Sequence, residues 1–227
     1  MKLAIFDLDD TLIDFASTRE VAYGCLSAHL DGERIDSAAF VSACRTIDRP
    51  VFALFERGTI TRAEYRLRRF SEPLAAIGAP PNPALVVHLN RLFMECVNDR
   101  PMLYGDALPV LARLRAEGVR TAILTNGPSD GQRRKLEATG LEAAVDLVAI
   151  GEETGFSKPL PRAYHAIVEH FAFDPADALM VGDSPELDYD GARLAGLQAL
   201  LLDRDARHRG GTRQSIGSLA DVVRTVN

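Results

Sequence analysis

Three aspartates follow the first apolar run of this 227-residue chain. Residues 2–6 (KLAIF) have the length of a buried strand, and Asp7, Asp9 and Asp10 come directly after it, with Thr11 next. Buried carboxylates repel one another, and each costs several kcal/mol unless a positive charge lies among them. Hard oxygen ligands favour a hard cation, and Mg²⁺ is the usual one beside phosphate groups. The spacing therefore predicts a Mg²⁺ site, with a solvated turn as the alternative.

Polar residues also follow three later strand-like segments. These are Thr125 and Asn126 after residues 119–124, Lys158 beyond residues 145–150, and Asp183 and Asp188 after residues 178–181. Because the carboxyl ends of parallel strands meet at the same edge of a sheet, we expect these side chains to lie close together. Carboxylates, a hydroxyl and an ammonium group at one edge are the components of a phosphoryl-transfer site.

Strand and helix patterns alternate from residue 101 onwards. This order predicts an α/β fold, a Rossmann-like, doubly wound parallel sheet with right-handed crossovers. Residues 15–100 show helical periodicity but no convincing strand. We therefore predict a catalytic core of residues 1–14 and 101–227, with residues 15–100 inserted as an all-helical cap. Such an insertion is expected to lie over the carboxyl ends of the strands, where these sheets bind ligands.

Local signals predict the ends and faces of several helices. The first helix of the insertion is expected to turn Val21 inward, and the second to begin at Asp36 and stop before Pro50. In the core, Asp106 is expected to begin a helix that turns Leu108 inward.

The overall charge argues against a nucleic-acid partner. The formal net charge is −6 and the pI is about 5.4, whereas nucleic-acid-binding domains are typically basic. The basic runs at residues 66–69 and 133–135 fit solvated helix faces better than a binding stripe.

Cysteine use and hydropathy indicate a cytoplasmic protein without a membrane partner. Cys25, Cys44 and Cys96 are too far apart for C-x-x-C metal ligation, and we expect them to be small core residues in a reducing compartment. Strand-like residues begin close to Met1, so no signal peptide is expected, and no apolar run is long enough to span a membrane.

The ordered motifs resemble those of the haloacid dehalogenase superfamily. Its pattern D-x-D-x-T, then T/S, then K-P, then G-D-x4-D is met at every position, over essentially the whole chain. The helical insertion resembles the cap that this superfamily places after its first strand. The segments T-N-G, L-E-x-T-G-L and E-E-x-G-x-x-K-P are similar to pyrimidine 5′-nucleotidases and N-acylneuraminate-9-phosphatases, and the phosphoglycolate phosphatase-like group is also possible.

The resemblance implies roles for the first motif and for the metal. Asp7 would be the nucleophile that forms an aspartyl phosphate, and Asp9 the general acid and then the general base. Mg²⁺ would be held by Asp7, by the backbone carbonyl of Asp9 and by Asp183. Thr11 would form local hydrogen bonds and shape the turn.

The later motifs are implied to bind the phosphoryl group. The Thr125 hydroxyl and the Asn126 backbone amide would contact its oxygen atoms, and Lys158 would supply a fixed positive charge. Asp188 would orient metal-bound water or Lys158. No histidine lies near a motif, so we expect no catalytic histidine.

The residue at position 9 narrows the reaction. Dehalogenases of the superfamily lack this carboxylate, so Asp9 indicates hydrolysis of a phosphate ester. The expected partner is a small phosphorylated metabolite, of the nucleoside monophosphate or sugar phosphate type. The protein is expected to be a monomer or a homodimer. A phosphotransferase with the same residues, a 2-haloacid dehalogenase and a non-catalytic binding module are the alternatives.

Substrate choice is expected to depend on the insertion. Asp48 and Arg49 lie at the predicted break before Pro50, where Arg49 would contact a sugar or carboxylate, and Phe52 or Phe55 would stack on a base. The alternative is that they are ordinary helix-end and core residues.

Overall fold

The computed structural model describes residues 1–31, 35–79, 82–208 and 211–224. It divides into two compact units. Met1–Phe15 and Pro101–Asn227 form what we call the core unit, and Ala16–Arg100 form the helical unit. Within the described ranges, the helical unit contains α-helices and no strand, and no helix of either unit is long and apolar enough to cross a membrane.

The described strands form one parallel sheet of six strands, in the order β3-β2-β1-β4-β5-β6. They are β1 (Leu3–Phe6), β2 (Arg120–Thr125), β3 (Leu147–Ile150), β4 (Ala178–Gly182), β5 (Gln198–Leu202) and β6 (Ser215–Ile216). The chain adds strands outward on both sides of β1, as in a doubly wound sheet. The predicted α/β fold is confirmed, and the short edge strand β6 was not predicted.

Burial of β1 on both faces determines where the aspartates lie. All four of its residues are buried, with Phe6 in the same cluster as Leu111 on one face and Ile5 in the same cluster as Tyr164 on the other. Burying each large side chain contributes about 1.5–3 kcal/mol. The strand is therefore held in the middle of the sheet, and Asp7, the next residue, lies buried at its carboxyl end.

The helices of the core unit cover the sheet, and the remaining helices form the helical unit. The described α-helices are α1 (Phe15–Leu30), α2 (Ser37–Glu56), α3 (Arg62–Ala76), α4 (Pro83–Asp99), α5 (Ala107–Ala116), α6 (Ser129–Thr139), α7 (Leu141–Ala144), α8 (Gly151–Thr154), α9 (Pro161–His170), α10 (Gly191–Leu194) and α11 (Ala220–Arg224). A 3₁₀ turn spans Pro175–Asp177, and a π-helical turn spans Pro185–Asp190.

The sequence predicted that helix α2 stops before Pro50. This prediction is wrong, because α2 continues to Glu56. A proline inside a helix removes one hydrogen bond and costs about 3 kcal/mol. Packing beyond it offsets this cost, because Val51 is buried and the Phe52 ring lies 5.3 Å from the Tyr65 ring, centroid to centroid. Asp36 caps the start of α2 as predicted, since its side chain accepts a hydrogen bond from the backbone of Ala39.

Three other expectations about exposure are wrong. Val21 and Leu108 face solvent because the buried stripes of their helices lie on other positions, such as Leu26 and Leu111. Cys25 is also exposed.

One arginine of the basic run 66–69 is buried in the helical unit rather than solvated. Arg69 lies with its guanidinium carbon 4.5 Å from the centre of the Phe93 ring, and its Nη2 donates to Asn90 Oδ1 at 2.7 Å. A guanidinium group is weakly hydrated and stacks on aromatic rings, so it tolerates such a position better than an ammonium group.

Asp106 begins α5 as predicted, but its side chain does not cap the helix. It accepts hydrogen bonds from Arg204 Nη1 and Nη2 at 3.0 and 2.8 Å, from Ser218 Oγ at 2.8 Å and from the backbone N–H of Leu219 at 3.0 Å. Burial alone would raise the pKa of Asp106, but these contacts together lower it below the usual value.

The Asp106 contacts predict a pH-dependent contribution to stability. Because the pKa of Asp106 is lower in the folded state, its contribution is present above the unfolded value of about 4 and is lost as the pH falls through the folded value. Asp106→Asn should reduce the free energy of unfolding by about 1–3 kcal/mol at pH 7 and by clearly less near pH 3. Urea unfolding of both proteins at the two pH values measures this. A difference that does not shrink at low pH would contradict the assignment.

Candidate active site

The predicted ammonium group lies between two carboxylates at the edge of the sheet. Lys158 Nζ donates hydrogen bonds to Asp7 Oδ1 at 2.5 Å and to Asp188 Oδ1 at 2.6 Å, and only 2% of the Lys158 side chain is exposed. Burial alone would lower the pKa of Lys158, but the carboxylates of Asp188 and Asp7 outweigh it and hold this pKa above its usual value. Lys158 is therefore a fixed positive charge.

A third carboxylate completes a cluster of oxygen atoms. One carboxylate oxygen from each of Asp7, Asp183 and Asp188 lies within 4.8 Å of the others. Burial, then the nearby carboxylates of Asp188 and Asp10, raise the pKa of Asp183 to about 7, while Lys158 opposes the rise. Burial also raises the pKa of Asp7 well above its usual value; Lys158 opposes this, and Asp188 and Asp183 add to it. This cluster of hard oxygen donors, with one ammonium group to balance it, fits a divalent cation.

The π-helical turn holds Asp188 against Lys158. The backbone N–H of Ser184 donates to Asp188 Oδ2 at 2.9 Å, so one carboxylate oxygen contacts the backbone and the other contacts Lys158. A Cβ atom at position 182 would lie 2.2 Å from Asp188 Oδ2, so the close approach requires Gly182. An orienting role for Asp188 stays a prediction.

Asn126 joins the end of β2 to the loop that carries Lys158. Its Nδ2 donates to the Lys158 carbonyl oxygen at 2.8 Å, and its Oδ1 accepts from the Lys158 backbone N–H at 2.8 Å. The side chain of Asn126 therefore has a positioning contact that the motif resemblance did not predict, beside the phosphate-binding role predicted for its backbone amide.

Helix α6 holds the side chain of Asp9. Lys135 Nζ lies 2.7 Å from Asp9 Oδ1 and 2.9 Å from Oδ2, and Gln132 Nε2 donates to Oδ2 at 3.0 Å. The prediction of a solvated basic face at residues 133–135 is wrong for Lys135, whose side chain is 5% exposed. Gln132 and Lys135 are one helical turn apart and share the inward face, whereas Arg133 pairs with Glu153 and other groups at the surface.

Thr125 belongs to the same network. Its hydroxyl oxygen accepts from Gln132 Nε2 at 2.7 Å and from the backbone N–H of Gly127 at 3.3 Å. Gln132 thus joins the hydroxyl that ends β2 to the carboxylate of Asp9.

A signal for Lys135 exists in the composition. The chain has 26 lysines and arginines together, of which only three, Lys2, Lys135 and Lys158, are lysines. In a chain that uses arginine almost everywhere else, lysine at two buried positions indicates sites that need a compact ammonium group.

The turn after β1 differs in one respect from the expectation. Thr11 is buried, but its hydroxyl has no hydrogen-bond partner among the residues that the structure describes, so the predicted local bond is not formed. The turn is instead formed by the backbone: Leu12 and Ile13 both donate to the Leu8 carbonyl oxygen, and Asp10 has a left-handed φ of 59°.

The three residues predicted to choose the substrate lie in the helical unit. Asp48 accepts a hydrogen bond from the Tyr65 hydroxyl at 3.2 Å, and Phe52 packs against both Tyr65 and Phe55, whose rings also contact each other. Arg49 pairs with Glu56 at 3.1 Å, and 67% of its side chain is exposed. They lie within α2 rather than at a helix break.

The sheet edge and its motif residues are those of a known class of hydrolase. The family profile of the haloacid dehalogenase-like hydrolases matches residues 1–196, and the chain belongs to this family. The superfamily resemblance predicted from the motifs is confirmed.

Two of the relatives that the chain resembles are phosphatases with different substrates. The chain is 41% identical to the phosphoserine phosphatase of Thermus thermophilus, over 63% of this chain and 56% of that protein. It is 29% identical to the pyrimidine 5′-nucleotidase YjjG of Escherichia coli, over 90% of this chain and 86% of that one. The predicted similarity to pyrimidine 5′-nucleotidases is therefore confirmed.

A solved structure resembles the whole chain. The HAD-hydrolase YfnB of Bacillus subtilis matches with a TM-score of 0.82 and 26% identity, covering 100% of this chain and 98% of that one. That structure contains bound magnesium and is described as revealing an interdomain movement.

Proposed function

We propose that this protein is a Mg²⁺-dependent phosphatase that hydrolyses a small phosphomonoester through a phosphorylated Asp7. The observation that carries the proposal is the buried ammonium group of Lys158, 2.5 Å from Asp7 in a cluster with Asp183 and Asp188. The phosphatase names of the relatives support the reaction class. Asp9, the carboxylate that dehalogenases of the superfamily lack, favours a phosphate ester over a haloacid.

The donor set fits a magnesium ion. Asp7 and Asp183 offer hard carboxylate oxygens, and the backbone carbonyl of Asp9 is the third ligand that we propose. Bound there, Mg²⁺ would neutralise charge on the substrate phosphate and on the carboxylates around it.

In the first step, a carboxylate oxygen of Asp7 attacks phosphorus, and the bond from phosphorus to the ester oxygen breaks. Asp9 gives its proton to the departing oxygen, which leaves as the alcohol. In the second step, water attacks phosphorus, the bond to Asp7 breaks, and a proton of the water returns to Asp9. The sum is ester plus water giving alcohol plus phosphate, with both aspartates restored.

Thr125 is suited to hold the transferred group. Its hydroxyl already accepts hydrogen bonds from Gln132 and Gly127, so its own proton remains to be donated to a phosphoryl oxygen. Lys158 and the Asn126 backbone amide are the other phosphate contacts that we propose.

The proposal is tested by removing the metal. Activity towards p-nitrophenyl phosphate should fall at least about 100-fold after EDTA treatment and return when excess Mg²⁺ is added. Asp183→Asn should raise the Mg²⁺ concentration needed for half-maximal activity. Full turnover by the metal-free protein would contradict the proposal.

We also propose that the helical unit acts as a cap that selects the substrate. Arg49 is exposed and charged, and it would contact a polar part of the substrate away from the reacting phosphate. Arg49→Ala should change KM about tenfold for the preferred substrate, with little effect on p-nitrophenyl phosphate. Steady-state kinetics over a panel of nucleotides and sugar phosphates measures this. Unchanged kinetics across the panel would leave Arg49 as the surface partner of Glu56.

A further inference from the structure

The carboxylate of Asp9 is held by two side chains of one helix. Lys135 Nζ contacts both carboxylate oxygens, at 2.7 and 2.9 Å, and Gln132 Nε2 donates to one of them at 3.0 Å. Three contacts from two donors on one helical face restrict rotation of the Asp9 side chain, because turning it would break all of them together.

The Lys135 end of this contact is shielded from water, whereas 27% of the Asp9 side chain is exposed. Lys135 is almost fully buried, and its Nζ lies 4.3 Å from the centre of the Phe15 ring, within the distance of a cation–π interaction. An ion pair that is partly removed from water is stronger and better defined in geometry than one at the surface. Lys2, whose pair with Asp177 at 2.8 Å is open to solvent, provides the contrast within the same chain.

Gln132 extends the arrangement to the phosphate side of the site. The same amide nitrogen that contacts Asp9 also contacts Thr125 Oγ1 at 2.7 Å. The group expected to protonate the leaving oxygen and the hydroxyl expected to bind the phosphoryl group are therefore held by one side chain.

We infer that Lys135 and Gln132 are positioning residues that aim Asp9 at the oxygen of the leaving group. The inference rests on the proposed function, in which Asp9 donates that proton. A general acid acts only within hydrogen-bond reach of the atom it protonates, and a misplacement of about 1 Å can reduce the rate about 100-fold. Neither residue needs to touch the substrate.

Two esters of similar shape test this inference. p-Nitrophenolate leaves without a proton, whereas phenolate is a much stronger base and benefits from one. In Lys135→Met, kcat/KM for phenyl phosphate should fall about tenfold or more, and kcat/KM for p-nitrophenyl phosphate should change by less than about threefold. Gln132→Met should change the ratio of these two kcat/KM values in the same direction. Lys135→Arg keeps the charge and can contact both carboxylate oxygens, so its kcat/KM for phenyl phosphate should lie between those of Lys135→Met and the wild type.

Lys2→Met is the matched control and should leave both constants unchanged. Circular dichroism and thermal unfolding verify that each variant folds, and Gln132→Met decides the question if Lys135→Met does not fold. An unchanged ratio of the two kcat/KM values, whether both fall equally or neither falls, would overturn the inference and leave a structural role. A wild-type protein that hydrolyses neither ester with Mg²⁺ present would instead contradict the proposed function.

Discussion

Replacing Asp7 by asparagine is expected to reduce turnover by about 10⁴-fold or more on every substrate. Asparagine has nearly the same shape as aspartate, and its Oδ1 can still accept the hydrogen bond from Lys158. Its neutral amide, however, is not a nucleophile, so no phosphorylated protein can form. Steady-state release of phosphate, measured with Mg²⁺ present, quantifies the loss.

The fold should survive this change. Asp7 is buried beside Asp183 and Asp188, so removing its charge relieves repulsion when no metal is bound. In EDTA, the thermal midpoint of Asp7→Asn should equal or exceed that of the wild type. Asp177→Asn, which changes an exposed surface ion pair instead, should keep full activity. A rate for Asp7→Asn near that of the wild type would refute the nucleophile assignment.

Replacing Lys158 by methionine is expected to damage both activity and stability. Its ammonium group contacts Asp7 and Asp188 with almost no exposure to solvent, so its loss leaves two buried carboxylates without their partner. Breaking a buried ion pair in this way costs about 3–5 kcal/mol. Urea unfolding in EDTA should show this loss, and Mg²⁺ should restore part of it, since the cation supplies the missing positive charge.

The loss of activity in Lys158→Met should be about 100- to 1,000-fold and uniform across substrates, because we propose that Lys158 contacts the phosphoryl group that all substrates share. Lys2→Met is the matched control: the same side chain is removed from an exposed pair, and neither activity nor stability should change measurably. A loss confined to one class of substrate would place Lys158 in substrate selection rather than in phosphate binding.

The motif residues could be predicted because each follows a strand. An apolar run of four to six residues identifies a buried strand, and in a parallel sheet all carboxyl ends lie at one edge. The location of Asp7, Thr125 and Asp183 at one edge of the sheet can therefore be predicted from the sequence alone. The ion pairs of Lys158 with Asp7 and Asp188 follow from the same argument combined with the charge that a carboxylate cluster needs.

Helix α6 shows why Gln132 and Lys135 could not be predicted in the same way. Its buried positions include Gly131, Gln132 and Lys135, which do not form an apolar stripe, so periodicity indicated a solvated helix. Only the contacts with Asp9 identify Gln132 and Lys135 as the inward face of α6. Only the scarcity of lysine in the composition indicated that Lys135 was unusual.

The errors in the helical unit have a different cause. Pro50 and Arg69 both violate local rules, one for helix continuation and the other for burial of charge. Aromatic packing around Tyr65 and Phe93 overrides both rules. Such packing depends on which helices are neighbours, and the local sequence patterns do not predict which helices pack together.

The most direct test of the account is to trap the phosphorylated protein. Asp9→Asn should still release p-nitrophenolate in its first turnover, because this leaving group needs no proton, but should hydrolyse the phosphorylated Asp7 slowly for lack of a general base. We expect a burst of about one p-nitrophenolate per protein molecule, followed by a slow phase. After acid quenching, mass spectrometry should find one added phosphoryl group on the peptide that contains Asp7. An active variant with no burst, or a phosphoryl group on any other residue, would contradict the account.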